Sequence, residues 1–542
     1  MKLTEINGFD LARSVKAGCI NLEHRRDQVD RLNVFPVPDG DTGTNMYLTL
    51  LSAVKEGEKR AGEKVGPVVK AISSGSLMGA RGNSGVILSQ IFRGLAKVLE
   101  NKDRATAADI AAALTSGAAT AYKAVMKPVE GTILTVVKDV AHACEAEAQN
   151  NEDIIAMLYV GIEKGYATLQ KTPQMLPILK EAGVVDAGGQ GLLFFLQGFM
   201  NGLAEENEIQ LTEYEKPENT GRVIQQKEII LDFQYCTETL IRGTNLDPED
   251  IKDHLSPLGD SMLVVGDEEL VKVHIHSNHP GKVLESCLQF GSLTDVKINN
   301  MLEEVHENLL IQQEEETDTE NIFSDAIGLV AVAIGDGIEE ILKSLGVEKI
   351  VPGGQTMNPS TEDVLKACNQ LPYSKIIILP NNSNIIMVAN QVRDLCSKEV
   401  AVVSTKSVMQ AITALVAFDP DGKLNEVTEA MEAAFQNVSY GEITRAVRDS
   451  NLNGVTIKDG DLIGLINGNI VSSGQEIRSL MEEIITQMLS DEQEIITLLY
   501  GEGVYEEEAE KMKEYLYVLF PDLEIEMHSG GQAHYDYLIS VE

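Results

Sequence analysis

For its first two hundred residues the chain repeats only at helical spacing, and this limits its fold more than any other feature. Phe9, Ala12, Val15, Cys19 and Leu22 recur at intervals of three and four, the mark of one buried helix face. The stretch ATAADIAAALTSGAATAYKAVM, 105–126, is rich in helix-favouring alanine and shows no strand alternation. Three glycine clusters punctuate this region: GSLMGARGNSG at 75–85, EGT at 130–132 and DAGGQG at 186–191. They read as loops gathered at one end of a helical bundle or barrel.

The rhythm then changes twice. A polar stretch at 204–226 reads as a linker, and 227–310 follows the order β-α-β-β-α-β, which predicts a small ferredoxin-like α+β sandwich. QQEEETDTEN at 312–321 falls in a second, acidic linker, 311–322. From 323 to 542 apolar strands alternate with helices, which predicts a doubly wound α/β domain with a parallel sheet; Ser360 stands as an N-cap before TEDVLKACNQL. A chain of 542 residues suits several such domains.

Charge and composition exclude other classes. The formal net charge is −40, a field that repels a nucleic-acid backbone and an anionic membrane. Any phosphate ligand must therefore be held by metal ions, backbone N–H groups or a few local cations. There is no run of 18 apolar residues and no secretory leader pattern, so no membrane span is expected. The six cysteines, Cys19, Cys144, Cys236, Cys287, Cys368 and Cys396, show no pairing rhythm, which suits a reducing cytoplasm.

The segment NVFPVPDGDTGTNM, 33–46, sets Asp39 and Asp41 in a turn stiffened by Pro36 and Pro38. As an EF-hand starting at Asp39 it fails: the sixth position is Thr44 and the twelfth Leu50. No GxxxxGK[ST] occurs, so there is no P-loop. Two aspartates in one tight turn suit a hard cation such as Mg²⁺, which takes a few carboxylate oxygens and completes its shell with water and phosphate. The plain alternative is a polar capping turn. GARGNSG, with Gly79, Gly82 and Gly85, is able to form an anion nest at a helix N-terminus, or only to allow close helix packing; DAGGQG repeats the plan.

Together these segments resemble the nucleotide-binding domain of dihydroxyacetone kinases, the L-type subunit, over residues 1–203. The resemblance implies an antiparallel helical barrel carrying ATP and two Mg²⁺ ions at one end. It implies that Asp39 and Asp41 hold the metals, and the position matching the family's first aspartate falls on Asn33. Thr42 and Asn45 are further oxygen donors, and Gly43 completes the turn. It also implies phosphate contacts from Gly82, Asn83, Ser84 and Gly85, a nucleotide-proximal segment at Thr132 and Ile133, and a base- or ribose-side loop at Asp186, Ala187 and Gly188. Arg81, between the glycines of GARGNSG, is either a positive charge beside the phosphates or a surface residue.

In the middle segment VHIHSNHPG, 273–281, His274 and His276 share one strand face. Cys236 ends an earlier strand and, if neighbouring, would complete a Cys-His-His zinc set; ordinary strand histidines and a buried thiol are the alternative. The whole series, including FQYCTE and the terminal HSGGQAHYDYLISVE, resembles the ATP-binding catalytic subunits of bacterial two-component fatty acid kinases.

That resemblance implies transfer of the γ-phosphate of Mg-ATP to the carboxylate of a fatty acid carried by a separate DegV-type fatty-acid-binding protein. It also implies that zinc sits at Cys236, His274 and His276. The C-terminal domain is similar to the DegV family itself. TMNPSTEDV, 356–364, and ILPNNSN, 378–384, fall where that family has substrate-facing loops, while AIGDG at 333–337 replaces its serine-rich turn. Partner docking is the role this suggests, with a homodimer left open. Two other readings stand beside it: a small-polyol kinase acting on dihydroxyacetone, and a regulatory scaffold that binds nucleotide without turnover.

Overall fold

A computed structural model of the chain describes residues 2–33, 40–125, 127–207, 209, 235–243, 246, 248–266, 270–300, 324–354, 358–436, 438–446, 450–452, 454–490 and 493–542; within several strands only the backbone is described. The chain divides into two compact units. One joins Met1–Glu215 to Ile322–Glu542, and the other is Lys216–Asn321.

In the first unit the regular structure of the N-terminal part is, among the described residues, helical apart from a two-residue pairing of β1 (Glu5–Ile6) with β2 (Ala105–Thr106). Eight helices carry the architecture: α1 (Gly8–Glu23), α3 (Thr42–Glu58), α4 (Val65–Met78), α5 (Gly82–Leu99), α6 (Ala107–Ala124), α7 (Ile133–Ala148), α8 (Ile154–Leu169) and α11 (Ala187–Glu206). Each packs on the next in this order, and α11 closes the ring on α1. The shorter α2 (Arg26–Leu32), α9 (Thr172–Met175) and α10 (Pro177–Ala182) lie between them in sequence.

Small residues set how closely the helices approach. A Cβ on Gly94 of α5 would lie 2.4 Å from the Cα of Gly117 on α6, and one on Gly198 of α11 would lie 2.5 Å from Asn21 of α1. Ala12, Val15, Cys19 and Leu22 are buried as their spacing predicts, whereas Phe9 is 47% exposed.

The C-terminal part begins with four parallel strands in the order β10-β9-β7-β8: β7 (Ser324–Ala333), β8 (Lys349–Pro352), β9 (Tyr373–Leu379) and β10 (Glu399–Val402). Alternate residues of β7 enter different clusters, Leu329 and Ala331 on one side and Val330 and Val332 on the other, because strand side chains alternate with period two. Ser360 caps helix 361–370 through a reciprocal bond with Asp363, as its sequence predicts.

The expectation of one doubly wound parallel sheet across 323–542 does not hold over its second half. Residues 439–541 contain a second, six-stranded sheet in the order β15-β14-β11-β18-β16-β17. Its strands are β11 (Ser439–Arg445), β14 (Leu462–Ile466), β15 (Asn469–Gly474), β16 (Ile495–Tyr500), β17 (Glu524–Ser529) and β18 (Tyr535–Val541); a separate hairpin pairs β12 (Ser450–Leu452) with β13 (Val455–Ile457). All neighbours in the large sheet are antiparallel except β16 and β17. Its β14–β15 turn is Asn467-Gly468, with φ of 50° and 78°, a two-residue hairpin that joins antiparallel strands directly without a crossover helix.

The two parts of this unit share a core. Ala80 and Val86, at the start of α5, are 0% and 3% exposed and belong to the cluster formed by Val330, Val332, Val364 and Ile378. Ile178 and Ala182 of α10 pack against the cluster of Ile457, Ile463 and Leu465.

The second unit follows the order β3 (Tyr235–Arg242), α12 (Pro248–Leu255), β4 (Asp260–Gly266), β5 (Leu270–Ser277), α13 (Pro280–Cys287), β6 (Ser292–Asn300). Its sheet is antiparallel in the order β4-β5-β3-β6, with a core of Ile241, Ile251, Leu255, Val273, Ile275 and Val283.

Candidate functional site

The ring is antiparallel, so the N-termini of alternate helices gather at one end. A Cβ on Gly82, first in α5, would lie 2.6 Å from Asn45 Nδ2 in the first turn of α3. One on Gly191, in α11, would lie 2.8 Å from Met46 Sδ of α3. One on Gly188 would lie 3.2 Å from Ile133 Cβ, the first residue of α7. The ends of α3, α5, α7 and α11 therefore meet, and the three glycine segments and Asp41, the N-cap of α3, meet with them. Each helix N-terminus carries about half a positive charge, which suits an anion.

Asp41 is the N-cap residue of α3; Asp39 lies outside the described residues, with Pro36 and Pro38. Asp41 is 6% exposed. Burial pushes its carboxyl up to about 7, against the hydrogen bond from the Asn45 side chain, and the charge of Asp30 adds to the rise. A buried acid so penalised is a natural seat for a divalent cation. Thr42 and Asn45 are buried beside it. Asn33 is the C-cap of α2.

Asp30 carries no sequence signal, yet the structure puts it in the same cluster. Its Oδ1 accepts from the N–H groups of Gly43 at 2.6 Å and Thr44 at 3.1 Å, and its Oδ2 accepts from Thr44 Oγ1 at 2.9 Å. It caps α3 from a separate helix, with no motif between it and Asp41 to betray it. Burial raises its carboxyl against these hydrogen bonds.

Asp186 ties the remaining two ends together. Its Oδ2 accepts from Gly189 N at 2.7 Å, and the carboxyl also accepts from the Ile133 backbone. Burial pushes it up to about 6 despite both bonds. Thr132 caps α7 through Leu134 N at 3.4 Å, and Ala187 and Gly188 are buried. The side chain of Arg81, the N-cap residue of α5, makes no capping bond. Thr49 Oγ1 accepts from the N-cap N–H of Arg81 at 3.3 Å, and among the described hydrogen bonds no carboxylate or hydroxyl covers the next N–H groups, on Gly82, Asn83 and Ser84.

The C-terminal part reaches this same loop. Arg81 Nη1 donates to Asn358 O at 2.9 Å, and Arg81 Nη2 lies 3.7 Å from Asp363 Oδ2. Thr361 N donates to Ala80 O at 3.1 Å, and Asn83 Nδ2 donates to Asn384 Oδ1 at 3.0 Å. Arg81, expected beside phosphates, is thus engaged with the neighbouring domain. TMNPSTEDV and ILPNNSN, expected as substrate-facing loops, meet the glycine loop through Asn358, Thr361, Asp363 and Asn384.

Family comparison agrees with this layout. Residues 36–201 match a DAK2 domain, 232–308 the middle domain of FakA-like fatty acid kinase components, and 328–542 the C-terminal domain of the same FakA-like components. Protein YloV of Bacillus subtilis (strain 168) is 42% identical over 556 residues, covering both chains in full. The chain belongs to the FakA-like fatty acid kinase family. The uncharacterized protein SAR1202 of Staphylococcus aureus (strain MRSA252) is also 42% identical, over 551 residues and the whole of both chains. Among solved structures, DegV, a fatty acid binding protein from Bacillus subtilis, covers 40% of this chain and 99% of its own at 13% identity and a TM-score of 0.31, too slight a likeness to carry an argument.

In the middle domain of this FakA-like chain, the backbone register sets Cys236 opposite His276 and Glu238 opposite His274 on β3 and β5. The side chains of Cys236, His274 and His276 lie outside the described residues. Among the described residues no group of three His, Cys, Asp or Glu side chains is arranged to hold a metal, and no helix is long and apolar enough to cross a membrane.

Proposed function

We propose that the chain binds Mg-ATP at the four convergent helix ends and transfers the γ-phosphate to the carboxylate of a fatty acid presented by a separate DegV-type binding protein, giving an acyl phosphate. The observation that carries the reading is the meeting of a buried aspartate, Asp41, with the uncapped N-terminus of α5 across Gly82. One suits a cation and the other an anion, side by side as a metal–phosphate pair requires.

The donor set fits Mg²⁺: carboxylate oxygen from Asp41 and Asp39, with Thr42, Asn45 and Asn33 as neutral oxygens. Two Mg²⁺ ions, when bound, would neutralise charge on the triphosphate. The N–H groups of Gly82, Asn83 and Ser84 would hold phosphate oxygens, with Gly85 allowing α5 to lie against Thr49. Gly43 permits α3 to approach α2, since a Cβ there would lie 2.5 Å from Arg26 O. Thr132, Ile133, Asp186, Ala187 and Gly188 would line the nucleoside side. Arg81, held by Asn358 and Asp363, would place positive charge at the rim of the loop. Phosphoryl transfer requires mainly positioning and charge neutralisation, and these residues supply both.

The test is acyl phosphate formation, trapped with hydroxylamine, from purified chain, Mg-ATP and a lipid-loaded DegV-type protein. Asp41→Asn should lower the rate at least a hundredfold. ATP consumption with dihydroxyacetone and no partner would instead identify a polyol kinase, and nucleotide binding that survives Asp41→Ala, with no turnover by the natural chain, a scaffold. We further propose a ferredoxin-like middle domain with zinc at Cys236, His274 and His276, motivated by the direct pairing of Cys236 with His276. Elemental analysis should find stoichiometric zinc in the natural protein and little in His274→Ala; equal zinc in both removes the site.

A further inference from the structure

Asn358 belongs to the C-terminal part, 317 positions from the aspartate it touches. Its Nδ2 donates to Asp41 Oδ2 at 2.5 Å, and its backbone carbonyl is pinned by Arg81. The residue is 3% exposed. Gly82 is its neighbour: a Cβ there would crowd Asn45 Nδ2 at 2.6 Å and lie in ordinary contact with Asn358 Nδ2 at 3.4 Å. Among the described residues the other half of the carboxamide, Oδ1, is buried and accepts no hydrogen bond. A buried amide oxygen is almost always given a donor, and here it stands beside the carboxylate assigned to a cation.

The domain contact alone does not account for this. Thr361 N on Ala80 O, Asn83 on Asn384, and the burial of Ala80 and Val86 already join the two parts, and none of them touches Asp41. A carboxamide that holds a metal-binding carboxylate by its N–H₂ leaves its oxygen facing the same neighbourhood. Mg²⁺ keeps several of its waters when protein-bound, and those waters are donors.

We propose that Asn358 is a positioning residue of the cation site, supplied by the C-terminal domain: its Nδ2 fixes the Asp41 carboxylate and its Oδ1 accepts from the hydration shell of the divalent ion held there. This rests on the Mg-ATP reading. Cation affinity and the seating of the C-terminal domain are then linked, each strengthening the other.

The test uses the full chain with Mn²⁺ and a non-hydrolysable ATP analogue, following free Mn²⁺ by electron paramagnetic resonance. Asn358→Ala should weaken Mn²⁺ binding roughly tenfold or more, while Gln391→Ala, which loses a domain contact to Ser89 away from Asp41, should leave it within about twofold. A second readout avoids dependence on the alanine variant. Asn358→Asp keeps an oxygen but sets a second carboxylate against Asp41, so Mn²⁺ should raise its Tm by more than it raises that of the natural chain. Unchanged Mn²⁺ affinity in Asn358→Ala, an equal loss in Gln391→Ala, or equal Mn²⁺ shifts in Tm would overturn the inference and leave the kinase reading standing. Failure of the natural chain to bind Mn²⁺ with nucleotide, or full binding by Asp41→Asn, would remove both.

Discussion

At the scale of single residues, the site depends on backbone conformations that few side chains tolerate. Gly82 sits at φ +54° with its missing Cβ directed at Asn45. Gly82→Ala would place an L-residue in the left-handed region, at a cost of about 1–2 kcal/mol, and push Asn45 off Asp41. The expected outcome is a lower Tm together with Mg-ATP affinity reduced about tenfold, read by calorimetry; an affinity equal to that of the natural chain would show that the Asn45 contact is dispensable. The importance of glycine here is legible in the sequence, because clustered glycines before an apolar helix pattern have few explanations. Asp30 is not, since a capping residue borrowed from another helix leaves no local spacing. Phe9 misleads for the opposite reason: it keeps the period of α1 but falls at the edge of the buried stripe, with Arg13 stacked on its ring.

Among elements, the helices are the easiest to read, because each buries a stripe that repeats over several turns. The large second sheet escapes the reading of strand–helix alternation although its clue is plain. LINGNI, 465–470, holds an Asn-Gly pair between apolar runs, the commonest short hairpin signal. Its central strand carries a test of its own. Glu442 of β11 is 6% exposed, and burial pushes its carboxyl from 4.5 up to about 7. The folded state therefore holds a proton that the unfolded chain releases near pH 4.5. Stability from this group is complete below about pH 4.5, declines as pH rises, and is lost above about 7. The difference corresponds to roughly 3 kcal/mol. Glu442→Gln should remove this decline, giving a higher Tm than the natural chain at pH 8 and a smaller advantage at pH 5. Parallel pH profiles for the two proteins would contradict the assignment.

For the whole molecule, the informative feature is the core shared by the start of α5 and the C-terminal sheet. Ala80, fully buried there, should not accept a charge. Ala80→Glu is expected to part the two regions, splitting one calorimetric transition into two. A single unaltered transition would show that the shared core adds little. Sequence alone places both regions but not their junction: Ala80 and Val86 look like ordinary packing, and Arg81, Asn83, Asn358 and Asn384 look like ligand-loop residues in either region.

The union of Asp41 with Asn358 also has a consequence for how the protein is made. A ribosome adds about 5–20 residues per second, so the aspartate waits roughly 15–60 s for its amide partner to be synthesised. Until then the nascent helical barrel carries an unfinished cation seat, and a chain released early by premature termination would carry it permanently.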